Sequence, residues 1–189
     1  MYKQLENYIS NRIAISSSEM EIILSYFHPL YPKKNEVLVT NGQTSQRMFF
    51  VGNGCLRIFF INEEGHEATR HLAFEVTFAT TLVSFITGEP SLEFIQALED
   101  TQLLYIAQKD FYDLIEIIPE WNTFYSKYLE YAYVTNTNRL MSFITMDALE
   151  RYRQLLEQKP DIIKRLPNKM VASYLNISQE TLSRLKSRV

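Results

Sequence analysis

From Pro119 to Thr145 the chain runs for 27 residues without a glycine or an internal proline. Trp121, Phe124, Tyr125, Tyr128, Leu129, Ala132, Thr135, Leu140 and Phe143 recur along it at near-heptad spacing, which predicts one helix of about seven turns. Few folds of this size can bury so much apolar side chain along a single rod. The expected use of the surplus is pairing with a twin helix in a homodimer. Packing along the chain's own body is the alternative.

What precedes the helix reads as two textures. Residues 1–35 read as helical: Ser16 with Glu19 three positions later gives a capping-box start, and Met20, Ile23, Leu24 and Phe27 form a stripe ended by His28-Pro29. From about Asn35 to Leu104 the chain turns to short runs rich in Val, Phe, Ile and Thr. They are punctuated by Asn41-Gly42, Gly52-Asn53-Gly54, Asn62-Glu63-Glu64-Gly65 and Gly88-Glu89-Pro90. Evenly spaced strands with turn signals predict a small antiparallel barrel or roll. Met48 to Ile61 reads as two strands joined at Gly52 to Gly54, with Phe49, Phe50, Phe59 and Phe60 supplying bulk.

After the long helix, Asp147 to Lys159 is a second amphipathic helix, begun by an aspartate cap and stopped by Pro160. The last two dozen residues, LPNKMVASYLNISQETLSRLKSRV, hold two short helical patterns that meet at a tight turn. Met170, Val171, Tyr174 and Leu175 give the first a buried face. Asn176 suits the left-handed conformation at its end, and Ser178 suits the N-cap of the second. Ile177 and Leu182 have the spacing of a hydrophobic staple. In the second helix Leu182, Leu185 and Val189 point back at the first. Gln179, Glu180, Ser183, Arg184, Ser187 and Arg188 fall on the other side. Arg, Glu and Gln are the residue types that read base edges in a major groove, and Ser178 and Thr181 at the helix start are placed to meet phosphate. The pattern is a helix-turn-helix.

Charge sharpens that assignment. From Lys164 to Val189 six cations (Lys164, Arg165, Lys169, Arg184, Lys186, Arg188) face one acid, Glu180, a net of +5 in a chain whose total is −3. The other 163 residues therefore carry −8. A basic end on an acidic body suits a protein that meets phosphate with that end alone. With 46% hydrophobic and 13% aromatic residues, 189 residues have room for one moderate core and a small second domain. The expected division is residues 1–118 for the roll, 119–146 for the long helix and 147–189 for the helix-turn-helix. A single cysteine, Cys55, no signal peptide and no membrane-length apolar run lead to a cytoplasmic expectation with no membrane partner. Three histidines, His28, His66 and His71, with His28 read as outside the roll, are too few for a His-rich metal site. No nucleophile elbow or phosphate loop is present. Neither a metal, a cofactor nor a catalytic residue is expected, and the chain reads as no enzyme.

In this order the parts resemble the Crp/Fnr family of bacterial transcription regulators over essentially the whole chain. The likeness is carried by Gly42, Phe50 to Gly54, Arg57 and Asn62 to Gly65 in the roll, by Glu150 to Leu156 (ERYRQLL), and by Ile177 to Arg184 (ISQETLSR). The resemblance implies an α+β fold: an N-terminal antiparallel β-roll of the cyclic-nucleotide-binding type with flanking helices, a long dimerisation helix, and a C-terminal helix-turn-helix domain lacking or truncating the wing. It also implies a homodimer on a pseudo-palindromic double-stranded DNA site, with recognition helices about 34 Å apart and RNA polymerase as the partner on which the bound dimer acts. Gln179, Glu180 and Arg184 then look like base readers, and Ser178 and Thr181 like phosphate contacts. If Val189 is the natural end, Lys169, Lys186 and Arg188 take more of the backbone contact, with Ser183 on the same face.

Two positions depart from the family. Nucleotide-binding members carry a Gly-Glu pair and then an Arg-Ser pair in the roll; without gaps, this chain offers Thr80-Thr81 and Ser91-Leu92 there. The pocket is therefore expected to be degenerate and unresponsive to cyclic AMP, leaving the effector open. A small-molecule-binding signalling module whose last helices grip a protein is the competing reading. A roll-fold metalloenzyme is the third.

Overall fold

The computed structural model describes residues 1–188, so the placement expected for Val189 lies outside the described residues. The chain forms two compact units, one of residues 1–60 with 71–129 and one of residues 61–70 with 130 onward.

In the first unit, helices α1 (Tyr2–Ser10) and α2 (Ser17–Ser25) lead into strands β1 (His28–Leu30), β2 (Val37–Val39), β3 (Arg47–Asn53), β4 (Leu56–Ile61), β5 (Glu67–Ala73) and β6 (Thr77–Ala79). Helix α3 (Leu82–Thr87), strands β7 (Phe94–Ala97) and β8 (Gln102–Ala107), and helix α4 (Gln108–Ile117) follow. The capping box at Ser16 and Glu19 is present in both directions. The strands form two four-stranded sheets, ordered β1-β8-β3-β6 and β2-β7-β4-β5, with antiparallel pairing. This is the expected α+β roll.

The segment MFFV lacks polar alternation because β3 is covered on both faces. Met48 and Phe50 enter a core with α1, α2, α4, Trp121 and Phe124, whereas Phe49 and Val51 enter the core between the sheets with Leu56, Ile58, Ile95 and Leu103. The chain passes from one sheet to the other at Gly54, whose φ is +102°. A Cβ there would lie 2.7 Å from the Thr101 hydroxyl and 3.0 Å from the Thr101 Cα, so only glycine fits.

Several expectations need correction. The helical reading of residues 1–35 runs too far: α2 ends at Ser25, and His28-Pro29-Leu30 is an edge strand paired with Leu103 to Tyr105. Pro29 is tolerated there because an edge strand leaves one side of its backbone unpaired. His28 thus belongs to the roll, and the roll extends to Ala107. Phe60 is 36% exposed and gives no core bulk, whereas Phe59 is buried and stacks on Phe94 at 5.1 Å.

Helix α5 (Pro119–Thr145) has the expected bounds and runs from the first unit into the second. Its start is held by Trp121, which is fully buried, donates to the Phe111 carbonyl at 3.2 Å and stacks on Phe124 at 4.5 Å. The apolar row counted from the sequence is the face that packs at home: Tyr125, Tyr128, Ala132, Thr135 and Phe143 are half-buried. Of that set only Leu140 is well exposed, at 59%. At about 100° per residue, the opposite side carries Tyr131, Tyr133, Val134, Leu140, Met141 and Ile144, all exposed.

The second unit continues with α6 (Ala148–Gln158), α7 (Pro160–Arg165), α8 (Asn168–Leu175) and α9 (Gln179–Lys186). Asp147 and Glu150 form a capping box for α6. Pro160, expected only to stop α6, also opens α7 at its first position, where its missing N–H costs nothing. In the turn 62–65 the Asn62 carboxamide accepts from the backbone N–H groups of Glu64 and His66, at 3.1 and 2.8 Å.

Candidate nucleic-acid interface

The turn between α8 and α9 follows from three neighbouring residues. Asn176 adopts the left-handed conformation, φ +54° and ψ +51°. Its N–H reaches the Ser173 carbonyl at 3.3 Å, and the Ile177 N–H reaches the Ala172 carbonyl at 3.1 Å. This paired closure is a Schellman motif. Ser178 then caps α9, its hydroxyl accepting from the Thr181 N–H at 3.1 Å.

The apolar sides of the two helices close on each other. Val171, Ala172, Leu175, Leu182 and Leu185 are buried. Gln179, Glu180, Ser183, Arg184, Ser187 and Arg188 are all exposed, as their spacing predicts. Part of this row is bound together. The Ser178 hydroxyl donates to the Thr181 hydroxyl at 3.1 Å, and the Arg184 guanidinium donates to the same Thr181 oxygen at 3.3 Å. The Glu180 carboxyl is held below the usual carboxylate range by its own backbone N–H, then by the Ser178 hydroxyl and the Arg184 charge. It stays an acceptor, the form a base amino group would meet. Lys186 Nζ donates to the Asn168 carboxamide at 2.6 Å, across to the first turn of α8, where Lys169 stands exposed.

The residues that fix α8 were not visible as a motif. Ser173 accepts from the Thr69 N–H at 3.1 Å and donates to the Glu67 carbonyl at 2.9 Å. Arg139 donates to the carbonyls of Thr69, at 2.9 Å, and Tyr174, at 2.5 Å, with its guanidinium 4.0 Å from the Tyr174 ring. Burial holds the Arg139 guanidinium below its ordinary pKa. Arg151 donates to the carbonyls of Met146 at 2.7 Å and Leu175 at 3.4 Å. Two guanidinium groups thus close the carbonyl end of α8, where positive charge is favoured. One signal was available: Arg139 falls one heptad after Ala132, on the inward row of α5, where the pattern asks for an apolar side chain.

In the roll, Thr80, Thr81 and Ser91 are buried while Leu92 is 72% exposed. The Thr80 hydroxyl donates to the Arg47 carbonyl at 3.0 Å and lies 3.2 Å from the Ser45 hydroxyl. Ser91 donates to the Glu93 carbonyl at 3.1 Å and accepts from the Glu93 N–H at 2.9 Å. Thr81 Oγ1 is buried without a hydrogen-bond partner among the described residues. Arg57 is 1% exposed, with its guanidinium 4.1 Å over the Phe59 ring, on the face of β4 opposite the inward-facing Leu56 and Ile58. The Thr80 and Ser91 hydroxyls are thus spent on the Arg47 and Glu93 backbone, Thr81 is left without a partner among the described residues, and Leu92 faces solvent.

Residues 30–117 match the family model described as a cyclic nucleotide-binding domain. The Cyclic AMP receptor protein of Thermus thermophilus is 29% identical over 106 residues, 56% of this chain and 48% of the relative, so the chain spans about half the length of that curated relative. The crystal structure of Thermus thermophilus Catabolite Activator Protein superposes with a TM-score of 0.60 at 20% identity, covering 93% of this chain and 84% of the other. A transcriptional regulator of the crp/fnr family from Eubacterium rectale gives 0.74 at 16% identity, covering 95% and 85%. FixK2 from Bradyrhizobium japonicum gives 0.74 at 14% identity, covering 86% and 83%. At these identities the structural likeness is one of fold.

Proposed function

We propose that the chain is a regulator of the Crp/Fnr type, a homodimeric, sequence-specific DNA-binding transcription regulator. A cyclic AMP receptor protein and a transcriptional regulator of the crp/fnr family are among the proteins it resembles, and a regulator's role, with no catalytic step, is the one assigned to it in this reading. The observation that carries the DNA reading is the split of α9 into a buried row, Leu182 and Leu185, and an exposed polar row at the basic end of an acidic chain. A helix that merely closes a hairpin also needs a polar outer row, but not the concentration of cations that stands here at one end of an acidic chain. Gln179, Glu180 and Arg184 read base edges, Ser183 lies beside them, and Ser178 and Thr181 meet phosphate together with Lys169, Lys186 and Arg188.

The second copy docks on the outward side of α5. Val134 and Met141 lie seven residues apart, as do Thr137 and Ile144, the a/d spacing of a left-handed helix pair, with Tyr133 and Leu140 beside them. A symmetric pair of this kind sets two α9 helices in successive major grooves about 34 Å apart. RNA polymerase is then the machine whose access or recruitment the bound dimer changes.

Cyclic AMP is not the effector in this reading. A cyclic phosphate buried beside Thr80, Thr81 and Ser91 would meet no guanidinium from these positions, with the Thr80 and Ser91 hydroxyls already donating to the Arg47 and Glu93 carbonyls, and an uncompensated buried charge costs several kcal/mol. Selection of bound sequences from a random duplex pool tests the proposal. The expected product is an inverted repeat with half-sites about ten base pairs apart, centre to centre; a pool that never enriches would overturn it.

A further inference from the structure

Arg47 is out of place for the row it occupies. On β3 it precedes Phe49 and Val51, and on β8 its register partner is Ala107, two residues beyond Tyr105; Phe49, Val51 and Leu103 line the core between the sheets, with Tyr105 packed against it. By the alternation of a strand, Arg47 heads the inward row and stands at the mouth of the roll. Its guanidinium lies 4.5 Å from the Tyr105 ring centroid and makes no hydrogen bond or ion pair among the described residues. The backbone beneath it is pinned, because its carbonyl accepts from the buried Thr80 hydroxyl at 3.0 Å. An arginine held on a ring face with its N–H donors unspent is prepared for an anion.

The space beside it has the size and lining of a ligand site. A hollow of about 390 Å³ is bordered by Arg47 and by the side chains of Gln43, Thr44 and Gln46, over a floor of Leu38, Val39 and Phe49. Val39 and Phe49 are buried, so the floor is fixed core and not mobile surface. The volume lies within the range of small-molecule pockets. A second hollow on the other side of Arg47 is bordered by His28, Lys109 and Asp110, and with Lys109 already paired to Asp113 the Asp110 carboxylate makes that side the poorer one for an anion.

We propose that this mouth binds a small organic carboxylate with an apolar body, the carboxylate on the Arg47 fork and the body over Leu38, Val39 and Phe49. Bidentate pairing suits a planar carboxylate, and the carboxamide N–H groups of Gln43 and Gln46 donate to its remaining lone pairs. Thr81, Ser91 and Leu92 do not line this hollow, although the Ser91 N–H donates to the Gln43 carbonyl at 2.9 Å, and the assignment stands whether or not the protein binds DNA.

The test is titration calorimetry on the full chain without DNA, using phenylacetate and hexanoate, each against its primary amide, and inorganic phosphate. Both acids are expected to bind, with the amides about tenfold weaker. Arg47→Gln should bring the acids down to the level of the amides, and Arg47→Lys should restore part of the difference. An unchanged melting temperature for the unliganded Arg47→Gln protein shows that it remains folded, since its side chain packs only on Tyr105. Acids that bind no better than amides, acid binding that survives Arg47→Gln, phosphate binding as tight as the acids, or no heat from either acid at millimolar concentration would each overturn the assignment.

Discussion

Arg139 and Tyr174 are joined twice: the guanidinium lies 4.0 Å from the ring and donates to the Tyr174 carbonyl at 2.5 Å. The same group also serves the Thr69 carbonyl. Hydrogen bonds from a charged donor contribute about 1.5–3 kcal/mol each, and their loss strands carbonyls that burial has cut off from water. Arg139→Ala should lower the stability of the second unit by about 3 kcal/mol, measured by urea unfolding. Arg139→Lys should recover only part, because one ammonium has no fork with which to span both carbonyls and no flat face for the ring.

The two cations of α9 should fail in different ways. Arg184→Ala should cost about 1–3 kcal/mol and relax the preference at one base pair in each half-site. Lys186→Ala should weaken binding to all sequences alike and reduce the salt slope by about 0.9 for each phosphate the side chain no longer neutralises. Fluorescence anisotropy across a salt series, with matched and single-mismatch duplexes, separates the two.

A charge on the outward side of α5 should split the dimer. Met141→Glu places a carboxylate against its symmetry mate in an apolar seam, where both desolvation and like-charge repulsion oppose pairing. Light scattering after size exclusion is expected to give the monomer mass with an unchanged circular dichroism spectrum. Met141 is 48% exposed in the single chain, so the substitution spares the protomer's own core.

Cyclic AMP should give no heat of binding in the roll. An arginine placed by Leu92→Arg at the position matched to the serine of the family's Arg-Ser pair is expected to leave that result unchanged, because the Leu92 side chain faces solvent. Micromolar binding by the unaltered protein would contradict the reading of Thr80, Thr81 and Ser91.

Val76 should be improvable. It holds φ +60°, a conformation that crowds a β-branched side chain, while its N–H donates to the Val51 carbonyl at 2.8 Å. The strain is worth about 1–2 kcal/mol, and at 40% exposed the side chain loses little burial on replacement. Val76→Asn should raise stability by about 1 kcal/mol in thermal unfolding, since asparagine tolerates the left-handed region.

The features legible in the sequence were those whose causes are local. Asn176 and Ser178 act on backbone groups within a few residues, so the turn and the start of α9 could be placed from spacing alone, and the same holds for Ser16, Asp147 and the Asn62 turn. The outward side of α5 was not legible in this way. Trp121, Phe124, Tyr128 and Phe143 give the stronger periodic signal, and period alone does not say whether a row faces home or a partner. Arg139, Ser173 and Arg151 escaped because their partners are backbone carbonyls and amides, some dozens of residues distant, which leave no pattern in side-chain identity. The strand at Pro29 was read as the tail of a helix because the stripe ending at Phe27 runs unbroken past Ser25.

The double covering of β3 means that polarity does not set its pairing. In most half-solvated strands a one-residue slip exposes the oily set to water, but here both sides are oily, and a slip would only exchange Met48 and Phe50 for Phe49 and Val51. Alignment must instead be read at the strand's two ends, from the arginine that belongs at the rim and the glycine that alone clears Thr101. A single-residue insertion between Arg47 and Gly54 would therefore yield a protein that collapses readily and settles into the wrong frame.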